Sequence, residues 1–161
     1  MADAFTCHLV WSGAAAGPTL DANKFSRELA VSFPAAGGAA GAPAPIAMSA
    51  APAFKGDGSR LNPELLLVSS LSSCQALTYL FLAARAGVAV TAYADDAEGY
   101  LGIADGKMRV SRVTLRPLIT LAPDADQSKA EALVEKAHEQ CFISSSVTTR
   151  ITIEPRFQRS S

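Results

Sequence analysis

A long apolar segment between Pro63 and Gly87 constrains the fold of this 161-residue chain more than any other feature. Asn62 can cap a helix, Pro63 suits the first helical position, and Glu64 places a negative charge at the positive end of the helix. Gly87 is a typical C-terminal stop. We therefore predict a helix that runs from Pro63 to about Ala86.

The central part of this segment, residues 65–84, is apolar enough to be tested as a membrane span. Six polar side chains interrupt it: Ser69, Ser70, Ser72, Ser73, Gln75 and Thr78. Polar side chains are costly in hydrocarbon but tolerated in a protein core, so the pattern favours the buried helix of a protein without membrane contact. Residues 1–7 lack a basic start and a continuous apolar run, and we do not predict a signal peptide.

The overall charge is nearly balanced, with 14 Lys and Arg against 15 Asp and Glu. This balance argues against nucleic acid or an anionic membrane as the main partner, because both select clustered basic residues. Only 18% of the residues are charged and 49% are apolar. Such a composition suggests apolar surface hidden in an oligomer interface. The length predicts one domain over residues 1–161.

The hydrophobic pattern predicts an α+β fold with a mainly antiparallel sheet. Strands are expected at residues 5–12, 25–33, 46–50, 107–121 and 148–157, and at residues 88–93 and 98–103 as two strands or one bent strand. A second helix begins at Asp124 or Asp126 and ends near Gln140. The order is β-β-β-α-β-β-α-β. Residues 34–45, built from Ala, Gly and Pro, are predicted to form a flexible surface loop.

The three cysteines are an odd number and widely spaced, which predicts free thiols and a cytoplasmic location. Cys7 is expected to pack within the first strand. Cys74 lies about eleven residues into the predicted helix, where a free cysteine is often simply buried. A reactive thiolate in mid-helix would need a nearby Arg or Lys. Cys141 directly follows the second helix, where a thiol can approach a partner sulfur.

Other site chemistries have little support in the sequence. His138 and Cys141 have the spacing of a ligand pair, but no second pair exists to complete a zinc site. A Cys–His hydrolase would need His8 or His138 to reach Cys74, and no nucleophile elbow surrounds that cysteine. No glycine-rich phosphate loop opens a helix. We therefore expect neither a metal nor a bound nucleotide, and a hydrolase is a minor alternative.

Two motifs resemble the OsmC/Ohr superfamily, in its OsmC-like branch. The run from Gly56 to Leu66, GDGSRLNPELL, is followed by Ser73 and Cys74, and Lys136-Ala137-His138 precedes Cys141, Ser144 and Ser145. The resemblance covers nearly the whole chain. Two positions depart from it: Gln75 stands where the family often has His, and Phe142 where a proline commonly follows the second cysteine.

The resemblance implies an intertwined homodimer in which two long central helices pack together, with active sites at the interface. It also implies thiol-dependent reduction of organic hydroperoxides in oxidative-stress defence. Cys74 would be the peroxidatic nucleophile, Cys141 the resolving thiol, and Glu64 an acid that orients an arginine. Arg27 and Arg60 are candidates for that arginine. Lys55 is a poorer substitute, because lysine cannot bridge bidentately.

Helix geometry adds a constraint, because Glu64 and Cys74 would lie about 15 Å apart along a straight helix. Either the helix bends, or antiparallel pairing of two central helices brings Glu64 of one subunit toward Cys74 of the other, which we favour.

Leu71, Leu77 and Phe81 would favour a bulky organic peroxide. No cofactor is expected, and an external dithiol, lipoyl-type or another, would be the reductant. The alternative is a dimer of this fold that binds a small hydrophobic ligand or senses oxidation.

Overall fold

The computed structural model describes residues 4–34 and 42–161 and divides the chain into two compact units. One unit extends to Pro63, and the other begins at Glu64. The expectation of a single domain stays a prediction. The predicted loop at residues 34–45 lies largely outside the described residues.

The N-terminal unit contains a three-stranded antiparallel sheet in the order β1-β2-β3. Its strands are β1 (His8–Val10), β2 (Leu29–Ser32) and β3 (Ile46–Met48), with short 3-10 helices at Ser12–Ala16 and Pro52–Phe54. The strands are shorter than predicted. After β1 the indole of Trp11 donates to the carbonyl of Ser26 at 2.8 Å, and the chain leaves the sheet. Cys7 precedes β1 and is exposed, so the expectation that it packs within the strand is wrong.

The predicted long helix is present as α1 (Pro63–Arg85). It begins at the predicted proline, with Glu64 in its first turn. It ends at Arg85, two residues before Gly87, which has a φ of +68°, and the Val88 N–H donates to the Ala83 carbonyl at 2.9 Å. Glycine adopts this left-handed conformation without the steric cost that a side chain would add. Both predicted ends are confirmed to within about one residue.

Helix α1 buries one face and exposes the other. Its buried residues are Leu71, Gln75, Tyr79, Leu82 and Ala83, whereas Leu65, Leu77, Leu80 and Phe81 are exposed. Within the single chain, the predicted buried helix is therefore buried on one face only, and cover of the other face by a second copy stays a prediction. By length and composition alone α1 could cross a membrane, but the core helix of a soluble protein passes the same test, which makes this weak evidence.

The C-terminal unit holds two three-stranded sheets, β4-β7-β9 and β5-β6-β8. The strands are β4 (Val90–Asp95), β5 (Glu98–Ala104), β6 (Lys107–Leu115), β7 (Pro117–Leu121), β8 (Arg150–Ile153) and β9 (Arg156–Arg159). In each sheet one strand pair is antiparallel and the other is parallel. Across the described strands antiparallel pairs are the majority, and the predicted α+β class is confirmed. Residues 88–103 form two strands in different sheets.

The two long strands predicted at residues 107–121 and 148–157 are each broken into two strands. Pro117 and Pro155 lie at the two breaks, and proline cannot donate an N–H to a strand ladder. At the corner the Arg116 N–H donates to Asp95 Oδ1 at 2.6 Å, and the Arg116 guanidinium binds Glu154 at 3.1 Å. The paired strands therefore pass together from one sheet to the other.

Two helices separate β7 from β8. Helix α2 (Gln127–Glu139) is capped by Asp126, whose carboxylate accepts from the Lys129 N–H at 3.0 Å, so Asp126 and not Asp124 is the cap. The predicted apolar face of α2 is confirmed: Ala130, Leu133, Val134 and Ala137 are buried. They pack in one core cluster with Tyr79, Leu82 and Ala83 of α1 and with Ile119 and Leu121 of β7. A four-residue helix, α3 (Phe142–Ser145), was not predicted.

Candidate active site

Cys74 and Cys141 lie together in the C-terminal unit. Cys74 is half-buried in the middle of α1, and Cys141 is fully buried between α2 and α3. Both are free thiols, and their side chains are hydrogen-bonded to each other. Two cysteines 67 positions apart in sequence are therefore placed close enough for direct sulfur chemistry. The packing of α2 on α1 produces this contact.

The pKa of the Cys74 thiol lies below its ordinary value of 9.0. Partial burial acts in the opposite direction and raises the pKa, but hydrogen bonds to the sulfur outweigh it. The groups hydrogen-bonded to it are the Cys141 thiol, the backbone N–H groups of Ile143 and Phe142, and the Thr78 side chain. Each donor favours the thiolate over the neutral thiol. Cys74 is therefore the cysteine of this pair that ionises first.

Cys141 has the opposite electrostatic balance. Burial raises the pKa of its thiol, and the hydrogen bond to Cys74 raises it further, because that bond uses the proton of Cys141. Contacts from Ser144 act in the other direction but are outweighed, including its N–H, which lies 3.5 Å from Cys141 Sγ. The pair therefore consists of a thiolate-prone Cys74 and a protonated Cys141.

A cavity of about 720 Å³ opens beside Cys74. Its lining includes the apolar side chains of Leu77, Phe81, Phe142 and Ile143, together with Ser70, Ser73, Thr78, Ser145, Glu139 and Gln140. Phe142 is 83% exposed, Leu77 69% and Phe81 58%. Leu71, which we expected at this site, is instead fully buried against β6. The wall beside the thiol is therefore mainly apolar, as predicted from Leu77 and Phe81.

Glu64 lies in the first turn of α1, ten residues before Cys74. One of its carboxylate oxygens, Oε2, is buried and has no hydrogen-bond partner among the described residues. Glu64 is not one of the residues that line the cavity. Its role as an acid that orients an arginine stays a prediction.

The two candidate arginines are engaged within the N-terminal unit. Arg60 pairs with Glu28 at 3.2 Å and with Asp57 at 3.3 Å. Arg27 donates to the carbonyls of Phe25 and Ala22 and lies over the Phe25 ring, 4.1 Å from its centroid. Lys55 donates to Asn23 Oδ1 at 2.5 Å. The described residues that line the Cys74 cavity include no arginine or lysine, so the identity of an activating cation stays a prediction.

The hydrogen-bond donors to Cys74 were not predicted from the sequence. We expected that a mid-helix cysteine would need a nearby Arg or Lys, whereas Thr78 and the amides after Cys141 lower the pKa of its thiol. Thr78 could have been found, because residues four apart share one helix face. The Phe142 and Ile143 amides could not, because they reach Cys74 through the docking of the whole α2–α3 segment.

His138 lies outside this site. Its Nδ1 is buried without a hydrogen-bond partner among the described residues, and its ring lines a separate cavity of about 330 Å³ with Ser144 and Thr149. Within the described residues no group of three or more His, Cys, Asp or Glu side chains could hold a metal ion.

The family model described as OsmC-like protein matches residues 56–156, which include all of α1, both site cysteines and most of the C-terminal unit. The chain belongs to the OsmC-like protein family. The resemblance found in the sequence motifs is confirmed.

Three individual proteins are similar to this OsmC-like chain. The structure of an OsmC-like protein of unknown function from Vibrio cholerae has a TM-score of 0.83 at 29% identity, over 96% of this chain and 100% of that one. An organic hydroperoxide resistance protein OsmC from Legionella pneumophila has a TM-score of 0.68 at 17% identity, over 97% of each chain. The uncharacterized protein YmaD of Bacillus subtilis is 24% identical over 62% of this chain and 68% of its own length. At 17% identity, the similarity to the Legionella protein shows a shared fold alone.

Proposed function

We propose that this OsmC-like protein is a thiol-dependent peroxidase that reduces organic hydroperoxides in oxidative-stress defence. The observation that carries the proposal is the hydrogen-bonded pair of Cys74 and Cys141, in which only Cys74 has a lowered pKa. Cys74 is the peroxidatic nucleophile, and Cys141 is the resolving thiol. Membership of the OsmC-like family and similarity to structures of organic hydroperoxide resistance proteins support this choice of reaction.

The reaction proceeds in three balanced steps. The Cys74 thiolate attacks the distal oxygen of ROOH, the O–O bond breaks, and the alkoxide takes a proton to leave as ROH, which leaves a sulfenic acid on Cys74. The Cys141 thiol then condenses with that sulfenic acid, forming a disulfide and releasing water. An external dithiol, lipoyl-type or another, reduces the disulfide to both thiols and is itself oxidised.

The arrangement of the pair suits this order of steps. Cys141 keeps its proton while Cys74 attacks the peroxide, so the Cys74 thiolate has no second negative sulfur beside it. Because the side chains are already in contact, resolution needs no large movement of α1 or α2. No bound cofactor enters any step. The apolar wall of Leu77, Phe81 and Phe142 holds the organic part of the peroxide.

The working form in this proposal is a cytoplasmic homodimer. The exposed apolar side chains of α1, listed above, would be covered by the second copy, as the family resemblance implies. Antiparallel pairing of the two α1 helices would also bring the partner's Glu64 toward the Cys74 site, and Arg27 or Arg60 would be the arginine that Glu64 orients there. The buried and unpartnered Oε2 of Glu64 supports a cationic partner for this carboxylate.

A second candidate function is binding of a small hydrophobic ligand, or sensing of oxidation, without efficient turnover. The apolar lining of the cavity and its lack of a lysine or arginine among the described residues favour this alternative. In that case Cys74 would react once with a peroxide, and the disulfide would not be recycled rapidly.

The proposal is tested by steady-state consumption of cumene hydroperoxide with a dithiol as reductant. We expect turnover by the unchanged protein, loss of all consumption in Cys74→Ser, and retention of the first chemical step in Cys141→Ser. In the second variant a sulfenic acid should persist on Cys74 and be trapped by a 1,3-dione. Cys7→Ser is the matched control, because Cys7 is exposed and belongs to the other unit, and it should turn over normally. Equal activity in Cys74→Ser would overturn the proposal.

A further inference from the structure

A buried amide joins α1 to α2 beside the cysteine pair. Gln75 directly follows Cys74 in α1 and is 1% exposed. Its Nε2 donates to the Val134 carbonyl of α2 at 3.2 Å. Val134 lies about two helical turns before Cys141, which follows the end of α2. One hydrogen bond therefore connects the residue next to one cysteine with the helix that leads to the other cysteine.

A second buried hydrogen bond joins the same two helices. Tyr79, four residues after Gln75, is also 1% exposed, and its hydroxyl donates to the Ala130 carbonyl at 3.3 Å. Because Ala130 lies four residues before Val134, the two bonds hold α1 and α2 antiparallel, with Gln75 at the end nearer to the cysteine pair. Both bonds are buried within one chain, so a second copy packed on the exposed face of α1 does not reach them.

The hydrogen-bonding capacity of the Gln75 amide is only partly used. Its Oε1 is buried and has no hydrogen-bond partner among the described residues. The opposite amide orientation would place this oxygen against the Val134 carbonyl, so Nε2 must be the group that faces α2. A buried unpaired oxygen lowers the stability of a fold, and an apolar side chain of the same length would avoid that cost. An amide at this position therefore points to a role other than stability.

We propose that Gln75 is a positioning residue, whose amide fixes the end of α2 so that Cys141 and the two residues after it meet the sulfur of Cys74. Those two residues are Phe142 and Ile143, whose N–H groups are hydrogen-bonded to that sulfur together with the Cys141 thiol. The inference rests on the proposed peroxidase function, because the same contacts favour the attacking thiolate and bring the resolving thiol within reach. Gln75 acts through α2 and does not itself line the Cys74 cavity.

The first test measures the pH dependence of Cys74 alkylation by iodoacetamide in Gln75→Met. Methionine keeps the length and unbranched shape of glutamine but cannot donate a hydrogen bond. Because the end of α2 is then held less firmly, the pKa of the Cys74 thiol should rise, and alkylation at pH 7 should slow about three- to tenfold. The midpoint of urea denaturation should stay the same or increase, because the unpaired oxygen is removed and the Val134 carbonyl keeps its bond within α2.

The second test measures how readily Cys74 and Cys141 form a disulfide in a glutathione buffer. In this exchange the two protein thiols give up two electrons and two protons to glutathione disulfide, which leaves as two glutathione thiols. The equilibrium constant reports the effective concentration of one protein thiol at the other. We expect this constant to fall at least about fivefold in Gln75→Met.

Tyr79→Phe is the matched control, because it removes the other hydrogen bond between the two helices and leaves the ring in place. It should leave the alkylation rate at Cys74 and the glutathione equilibrium within about twofold of the values for the unchanged protein. Equal effects in the two variants, no effect in Gln75→Met, or loss of its fold would overturn the inference. Each of these results would give the amide a general part in stability or no part at all.

Neither test uses a peroxide, so failure of this inference can be told apart from failure of the proposed function. If both readouts change in Gln75→Met but the unchanged protein consumes no peroxide, the proposed function is wrong and Gln75 still positions the thiol pair. If peroxide is consumed and neither readout changes in Gln75→Met, the positioning role is wrong and the proposed function stands.

Discussion

The reactivity of Cys74 depends on hydrogen-bond donors to its sulfur. Thr78 is the one side chain of α1 among them, and its hydroxyl favours the thiolate. Thr78→Val removes the hydroxyl with almost no change in shape, so the pKa of Cys74 should rise. Below that pKa the thiolate fraction falls, and iodoacetamide alkylation of Cys74 at pH 7 should slow about two- to fivefold. The alkylation rate at high pH should stay the same.

Ser73→Ala is the control for this substitution. Ser73 also lines the cavity, but its hydroxyl donates to the Ser69 carbonyl at 2.7 Å and not to the cysteine. A pH profile of peptide-resolved alkylation should therefore be unchanged in this variant. An equal shift in both variants would show that cavity polarity, and not the Thr78 hydrogen bond, sets the pKa of Cys74.

At this scale the sequence predicts the identity of the two site cysteines better than the source of their reactivity. The motif residues lie close to Cys74 and Cys141 in the sequence, and the resemblance to the OsmC/Ohr superfamily follows from them. The backbone amides of Phe142 and Ile143 carry no sequence signal, because every residue except proline has an N–H. The activating arginine, Arg27 or Arg60, stays a prediction, since its position would depend on contacts that one chain's pattern does not encode.

At the scale of elements, Gly99 sets how closely β5 approaches α1. A Cβ added at Gly99 would lie 2.4 Å from Val68 Cγ2, too close for any real contact. Gly99→Ala should therefore lower the free energy of unfolding by about 1–3 kcal/mol through overpacking. Urea denaturation followed by circular dichroism measures this change.

Gly102 provides the control in the same strand, because a Cβ there would meet only Ser111 Oγ at 3.5 Å, an ordinary contact. Gly102→Ala should be neutral or slightly stabilising. In the double variant Val68→Ala/Gly99→Ala, part of the loss should be recovered, since the shorter side chain removes the clash. Additive losses in the double variant would contradict the proposed contact between α1 and β5.

The two long helices, α1 and α2, could be predicted closely and the strands only in part. The ends of α1 follow from Pro63 and Gly87, which act on their own backbone. Strands depend on pairing with distant partners, so alternation alone did not locate the breaks near Pro117 and Pro155. Both prolines were visible in the sequence, and each break falls within a residue or two of one of them. A stricter use of proline as a strand boundary would have divided both strands correctly.

At the scale of the whole molecule, the exposed apolar face of α1 predicts association of two copies. Phe81 is 58% exposed in the single chain, and burying an aromatic side chain in an interface is worth about 1.5–3 kcal/mol. Phe81→Glu should raise the dissociation constant of the homodimer at least about tenfold. Analytical ultracentrifugation over a range of protein concentrations measures that constant.

Ala132→Glu is the control, since it adds the same charge at an exposed position of α2. The dissociation constant of the dimer should stay unchanged in this variant. If the unchanged protein is monomeric at all concentrations, or if both variants dissociate equally, α1 is not the interface.

The most direct test of the account is a single turnover of the prereduced protein with one equivalent of cumene hydroperoxide or hydrogen peroxide, followed by peptide mass spectrometry. We predict rapid loss of the organic peroxide, slower loss of hydrogen peroxide, and a disulfide between Cys74 and Cys141 in stoichiometric yield. If neither peroxide is consumed and both thiols remain free, the account is wrong, and the thiol pair does not reduce peroxides.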